Sequence, residues 1–294
     1  LWTGSLSQLI YINICTRTFY NIKLMRMNFL TTNPFELLGT TISPLLLQSF
    51  VVLMIALVVI GTLVDIIHKK NVKYFFENAK KAKKSATREL GSGERAAIIA
   101  KTVVYDVGTT SELGAGKRRV AHLLGMYGTI LFWIASVVMI FAYSSSSSST
   151  PNVWPIVWHV GGIMTVLGGC WFWFFLRVDV YSEAQPWYRI IKADLFVLAL
   201  IATSLFGLIW SFLQSLTLGD RWDDKVFLVL YIVSNLVLFG GVYWSKFAHM
   251  FYKPGAAIQK NLAEADGSRD NLPPEADAPE QFGLGIKREV PKHY

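Results

Sequence analysis

Five stretches of this chain are long enough to cross a bilayer: approximately Pro44–Ile67, Val120–Tyr143, Val153–Val178, Asp194–Leu218 and Val226–Lys246. A hydrocarbon core takes roughly 20 apolar residues. A charge at the middle of such a span costs about 2.5–3.5 kcal/mol, and none of the five has one there. Asp65, Arg177, Asp194 and Lys246 fall at the ends, where they are expected to reach the headgroups, and Tyr143, Trp154, Trp158 and Trp244 are expected to form interfacial belts. Only 16% of the residues are charged and 53% are hydrophobic, with mean hydropathy +0.40. A soluble domain carries about 25% charge. The pattern predicts an all-α integral membrane protein with about five transmembrane helices.

The basic residues orient it. Of 28 Lys and Arg, 13 lie between His68 and Arg119, 3 between Arg177 and Ala193, and 7 from Lys246 onward. The opposite connections hold none in the Ser-rich loop, and only Arg221 and Lys225 between the fourth and fifth spans. The positive-inside rule then places the N-terminus outside and the C-terminus in the cytoplasm. The expected organisation is an N-terminal leader 1–43, a first span 44–67, a basic cytoplasmic connection 68–119, spans two to five within 120–250, and a polar cytoplasmic tail 251–294.

The connecting segments carry little chemistry. In the leader, Arg17, Lys23 and Arg26 would put charge on the outer side, whereas no Lys or Arg lies between Met27 and Ser43. Residues 1–26 therefore read as a non-native extension before a start at Met27, or as a short amphipathic lead-in. In the first connection, Lys69–Leu90 reads as a basic helix broken by Gly91-Ser92-Gly93. Its cluster Lys80, Lys81, Lys83 and Lys84 suits an anionic leaflet or an acidic protein. Ala96–Val107 is expected as a strand or a membrane-surface helix. Gly114–Arg119 is a fragment of a phosphate loop without its spacing or its Ser/Thr, so nucleotide binding is not expected. Ser144–Ser149 reads as a flexible outer loop. The tail from Lys253, with five prolines, is expected to be extended or to act as a docking strap anchored by Phe282, Leu284, Ile286 and Tyr294. Cys15 and Cys170 form no CxxC, which excludes an iron–sulfur or structural zinc site built by this chain. No nucleic-acid partner is expected.

Ionisable residues in such a chain mark candidate sites. His293 lies in the tail. His68 ends the first span as an interfacial residue, and His159 opens the third with no second histidine at its depth. His122 and His249 differ: one enters span two and the other leaves span five on the same side, so they share a depth, as the axial ligands of one haem must. Gly125 and Thr129 follow His122 at i+3 and i+7, and Ser245, Val242 and Gly241 precede His249 at i−4, i−7 and i−8. Arg118, Arg119, Lys117 and Lys246 lie near enough along the chain to neutralise propionates. Two unrelated interfacial histidines are the other reading.

Arg119-Val120-Ala121-His122-Leu123-Leu124 resembles the second helix of the respiratory nitrate reductase gamma-subunit-like cytochromes b. Trp244-Ser245-Lys246-Phe247-Ala248-His249, continuing to Pro254, is similar to the end of that family's fifth helix. The resemblance covers about Pro44–Pro254 and implies a quinone-interacting b-type cytochrome in a bacterial cytoplasmic membrane. Two-haem members place a second histidine pair where this chain has Phe132 and Tyr231, so one haem per chain is implied. Within that group, the segments Pro254–Gln259, Asp266–Pro273 and Pro291–Tyr294 look like the membrane-anchor subunits of dissimilatory adenylylsulfate reductase. That implies a cytoplasmic flavin and iron–sulfur partner, with quinone and lipid on the membrane side. The expected function is a membrane anchor and electron-transfer subunit, not catalytic alone. A haem-free scaffold is the alternative. A transporter is disfavoured, since no polar group sits mid-membrane and no inverted repeat is evident.

Overall fold

The computed structural model describes residues 29–113, 116–145, 149–176, 188–217, 222–245, 247, 249–268, 281–282 and 286–287. Lys246, His293, Arg177, the Gly114-Ala115 step and the leader through Asn28 lie outside them. Nine α-helices are present among the described residues. They are α1 Pro34–Leu38, α2 Pro44–Lys69, α3 Asn71–Lys83, α4 Ser92–Lys101, α5 Lys117–Ala142, α6 Val153–Trp171, α7 Leu195–Thr217, α8 Trp222–Gly240 and α9 His249–Ala265. π-helical turns extend α4 through Val107 and α6 through Leu176. A two-residue antiparallel pair, Gln281–Phe282 (β1) with Ile286–Lys287 (β2), is the one β element described.

Among the described residues, four helical stretches are long and apolar enough to cross a membrane: Pro44–Lys69, Lys117–Ala142, Val153–Leu176 and Lys192–Leu216. The chain is an all-α, multi-pass membrane protein. The expected fifth span is shorter than its apolar run. α8 has 19 residues, carries Asp223, Asp224 and Lys225 in its first turn, and ends at Gly240 rather than Lys246. Gly240-Gly241 is a weak point for a helix. Beyond it the chain turns, and a new helix starts at His249.

The chain forms two compact units whose boundaries fall within helices. The first comprises Leu1–Leu53, Met126–Val166 and Leu200–Asn235. In it α5 and α6 touch backbone to backbone. A Cβ on Gly161 would lie 2.7 Å from Phe132 N and 2.8 Å from Gly128 O, and one on Gly128 would lie 2.6 Å from Thr165 N. Small residues that let helices approach are the usual contact where lipid, not water, surrounds them. Beside this contact the rings of Phe132 and Trp158 stack with centroids 4.7 Å apart, and Trp210 stacks on Tyr231 at 5.8 Å. Phe132 meets Tyr231 edge-on at 6.5 Å. Gly162 and Gly207 make room: a Cβ there would press on the Phe132 and Tyr231 rings. Trp158 is fully buried and donates to Ser136 Oγ at 2.8 Å, so it is core and not belt. Phe35 and Leu38 of α1 join this core. Asn33 caps α1 through Phe35 N and also donates to Tyr143 O and Thr150 Oγ1, which fastens both flanks of the serine loop. Ser144 itself is buried.

The second unit comprises Met54–Gly125, Leu167–Ala199 and Leu236–Tyr294. Here Gly168 of α6 presses on α5: its Cβ would lie 2.5 Å from Gly125 N and 2.7 Å from Ala121 O. The basic helix expected over Lys69–Leu90 stops at Lys83, and Ser92-Gly93 opens α4 instead of breaking a helix. Ala96–Val107 is helical. The tail is not extended at its start, because α9 is amphipathic and finds a partner. Asn261 Nδ2 donates to Thr102 Oγ1 and Asp106 Oδ2, both at 2.7 Å. Arg88 reaches Ala265 O at 2.6 Å and Glu94 at 2.6 Å. Pro254, six residues into α9, forgoes only its own backbone bond.

Hydrogen bonds from Ser111 and Asn261 hold the Asp106 carboxyl below its usual range. A depressed carboxyl stabilises above its unfolded value and loses that contribution as pH falls through the folded value. Hydrogen exchange across α9 should therefore quicken as the pH falls below about 3.8 and should lose that acid dependence in Asp106→Asn. In the first unit, Gly161→Ala must separate α5 from α6. Overpacking of this kind costs about 1–3 kcal/mol, read as a lowered Tm of the purified protein.

Candidate functional site

Of the five histidines, four are described, and the fold treats them differently. His159, on α6, is fully buried with both ring nitrogens occupied. Nδ1 donates to Pro155 O at 2.7 Å, which leaves Nε2 to accept from Ser211 Oγ at 3.0 Å. Phe29 and Trp158 meet its ring edge-on at 4.4 and 4.9 Å. This is a core histidine with no lone pair to offer. His68 is exposed, its ring 5.8 Å from that of Tyr243.

His122 lies on the second turn of α5 with its side chain exposed. His249 opens α9 and is half-exposed. Both belong to the second unit, and His249 and Lys253 stand close enough to His122 to act on it electrostatically. The two histidines come near each other by a route other than the expected one. His249 is the first residue of a separate helix, so the face expected from Gly241, Val242 and Ser245 does not exist. Those residues form the turn: Gly241 N bonds Val237 O at 2.9 Å, and Val242 is buried against Gly61.

What holds that turn and the start of α9 is the end of α2. Asp65 was expected to reach the headgroups, yet it is 2% exposed. Lys69 pairs with its carboxylate, and Tyr252 donates to Oδ2 at 2.9 Å. Lys69 Nζ also donates to Tyr243 O at 3.1 Å and lies 5.4 Å from the centre of that ring. Burial, then the hydrogen bond to Asp65 and its charge, push the Tyr252 hydroxyl up to about 12, so it stays a donor across the physiological range. Asp194, the other expected headgroup residue, is likewise buried and accepts from Ile191 N at 3.0 Å, capping the turn before α7. Phe196 on α7 meets the rings of His249 and Phe247 edge-on, each at 5.5 Å.

A Cβ built on Gly125, one turn along α5 from His122, meets nothing within 4 Å, in contrast to the crowded Gly128, Gly161 and Gly168. Arg118 lies at i−4 from His122 and Lys253 at i+4 from His249, so each histidine has a cation one turn away. Arg119 is partly committed, its Nε donating to Thr109 O at 2.8 Å. Lys253 escaped the sequence reading, although its i+4 spacing from His249 was there to be used. No group of three or more His, Cys, Asp or Glu among the described residues is placed to hold a metal ion, so any ligation at this place rests on the histidine pair. These features fit a bis-histidine haem: two imidazoles from different helices, open ground beside one of them, and cations for carboxylates. No family model, curated protein or solved structure matches the chain.

Tyr252→Phe removes one of the two partners of a buried carboxylate. The expected loss is about 1–3 kcal/mol of stability, seen as a lowered Tm, with Lys69→Met adding to it less than independently because both act on Asp65.

Proposed function

We propose that the chain is a membrane anchor and electron-transfer subunit, N-out and C-in, in a bacterial cytoplasmic membrane, with α8 as a fifth crossing. It would link a cytoplasmic flavin and iron–sulfur reductase, adenylylsulfate reductase being the suspected partner, to the quinone pool through one b-type haem. The observation that carries this reading is the approach of His249 and Lys253 to His122 beside the open face at Gly125. α8 supports a crossing by length: 19 residues span about 28 Å, close to the hydrocarbon thickness.

A b haem supplies a reversible one-electron step when bound. The chain's residues would do the rest. His122 and His249 would ligate. Arg118 and Lys253 would take the propionate carboxylates, and Arg119 and Lys246 are secondary candidates. Phe196 and Phe247 would wall the His249 side from water, and the Asp65–Lys69–Tyr252 network would hold α9 at its height. The aromatic stack around Phe132 and Tyr231 supports one haem and not two, since bulky rings fill the positions of a second histidine pair. The helical assembly of α3, α4 and α9 outside the spans favours the haem-free scaffold as the second reading, because it offers a partner-docking body with no need of a cofactor.

A dithionite-reduced minus oxidised spectrum separates the two. The expected result is a low-spin b signature near one haem per chain, abolished in His122→Ala and in His249→Ala and retained, per folded protein, in His159→Ala. Protein without haem after haem-replete expression would leave the scaffold. A signature surviving both substitutions would move the ligands to His68. Reporter fusions after Tyr143 should read outside, and those at Lys84 or Lys260 cytoplasmic. A cytoplasmic reading at Tyr143 overturns the orientation.

A further inference from the structure

α3 carries a feature that the electron-transfer reading does not use. Phe76 is 65% exposed, and Lys73, Lys80 and Lys83 stand at i−3, i+4 and i+7 from it, on one stripe of the helix. All three lysines are exposed. One carboxylate borders the stripe: Glu77, whose Oε1 lies 3.7 Å from Lys73 Nζ, with both side chains open to solvent. A neighbouring face of α3, about 100° round the helix and formed by Val72, Phe75, Ala79 and Ala82, is half-buried. The exposed stripe is therefore not the helix's packing face.

Its place in the chain says what covers it. α2, long and apolar enough to cross a membrane, ends at Lys69. α3 begins at Asn71, after Lys70 adopts a left-handed conformation with φ 54°. A single left-handed residue ends one helix and turns the chain before the next. α3 thus starts at the level of the headgroups and leaves the axis of α2, with an aromatic ring set among ammonium groups. An apolar ring flanked by lysines on a helix next to a span suits the boundary between acyl chains and anionic headgroups.

We propose that α3 lies in the interface of the leaflet its span emerges from and binds anionic phospholipid, with Phe76 in the acyl boundary and Lys73, Lys80 and Lys83 on the headgroup phosphates. The site is independent of any haem, so loss of one reading leaves the other standing. An acidic protein on the same stripe is the competing occupant.

The test uses the full unlabelled chain in nanodiscs of phosphatidylcholine alone or mixed with phosphatidylglycerol. Hydrogen exchange over residues 71–84 should slow by about tenfold or more with phosphatidylglycerol, the effect of one or two lysines near an anionic surface. Added salt should erode the difference. Lys73→Gln, Lys80→Gln and Lys83→Gln together should abolish it. A nitroxide at Phe76→Cys, with Cys15 and Cys170 replaced by Ser, should be relaxed more by oxygen than by a water-soluble nickel chelate in phosphatidylglycerol discs. Equal exchange in the two discs, or a label relaxed mainly by the chelate in both, overturns the proposal and returns the stripe to a protein partner.

Discussion

The backbone approach of α5 and α6 is the contact on which the rest of the fold depends. In water, two helices are pressed together by the apolar area they hide. Between lipid tails that gain is small, and close van der Waals packing must replace it. The chain meets this need with small residues in register: Ala121, Gly125 and Gly128 on α5, and Gly161, Thr165 and Gly168 on α6. Each side repeats at i, i+4 and i+7, which keeps the three on one face. Thr129 and Thr165 add a side-chain contact at 3.4 Å on the same seam. In the second unit, Gly168 seated against Gly125 N and Ala121 O fixes the rotation of that part of α5, and so the direction in which His122 leaves it. The larger rings can then occupy only the flanks, where Gly162 and Gly207 leave space.

A second constraint sets the other histidine. Asp65 stays buried beside apolar helix because Lys69, one turn away, and Tyr252, far along the chain, both satisfy it. A buried carboxylate deprived of partners is costly, so the network works as a clasp: α9 cannot leave without exposing that cost. Lys69 extends the clasp to the carbonyl of Tyr243. The turn after Gly240 and the start of α9 are thus both referred to the end of α2, and His249 is placed by a residue more than 180 positions earlier in sequence.

Much of the first level was legible in the sequence. Four apolar runs became helices near their expected limits, because span length and charge exclusion are local properties. The errors lie where distant partners decide. Asp65 and Trp158 were assigned to the surface by position along a span, and only tertiary contacts with Tyr252 and Ser136 bury them. The helix break at Gly240-Gly241 was visible as a glycine pair, but continuous apolarity masked it. The tail from Lys253 reads as polar and Pro-rich, and α9 forms there because Asn261 finds Thr102 and Asp106. The glycine register of α5 and α6 was present in the sequence as spacing and needed only the question of which residues let helices touch.

Histidines in a membrane protein divide by what their nitrogens already do. His159 spends one on a carbonyl and the other on a hydroxyl, in a pocket closed by aromatic rings. Its burial is complete because its polarity is internally answered, as a buried polar group requires. His122 follows Ala121, the first of the small residues of α5, and is exposed, with a second imidazole and an ammonium near it from α9. Two cationic or cation-forming groups facing an imidazole make a poor structural core, since charging any of them opposes the others. If the proposed haem binds here, His122 and His249 would hold it, and Lys253 and Arg118 would offset its carboxylates, which would relieve that opposition.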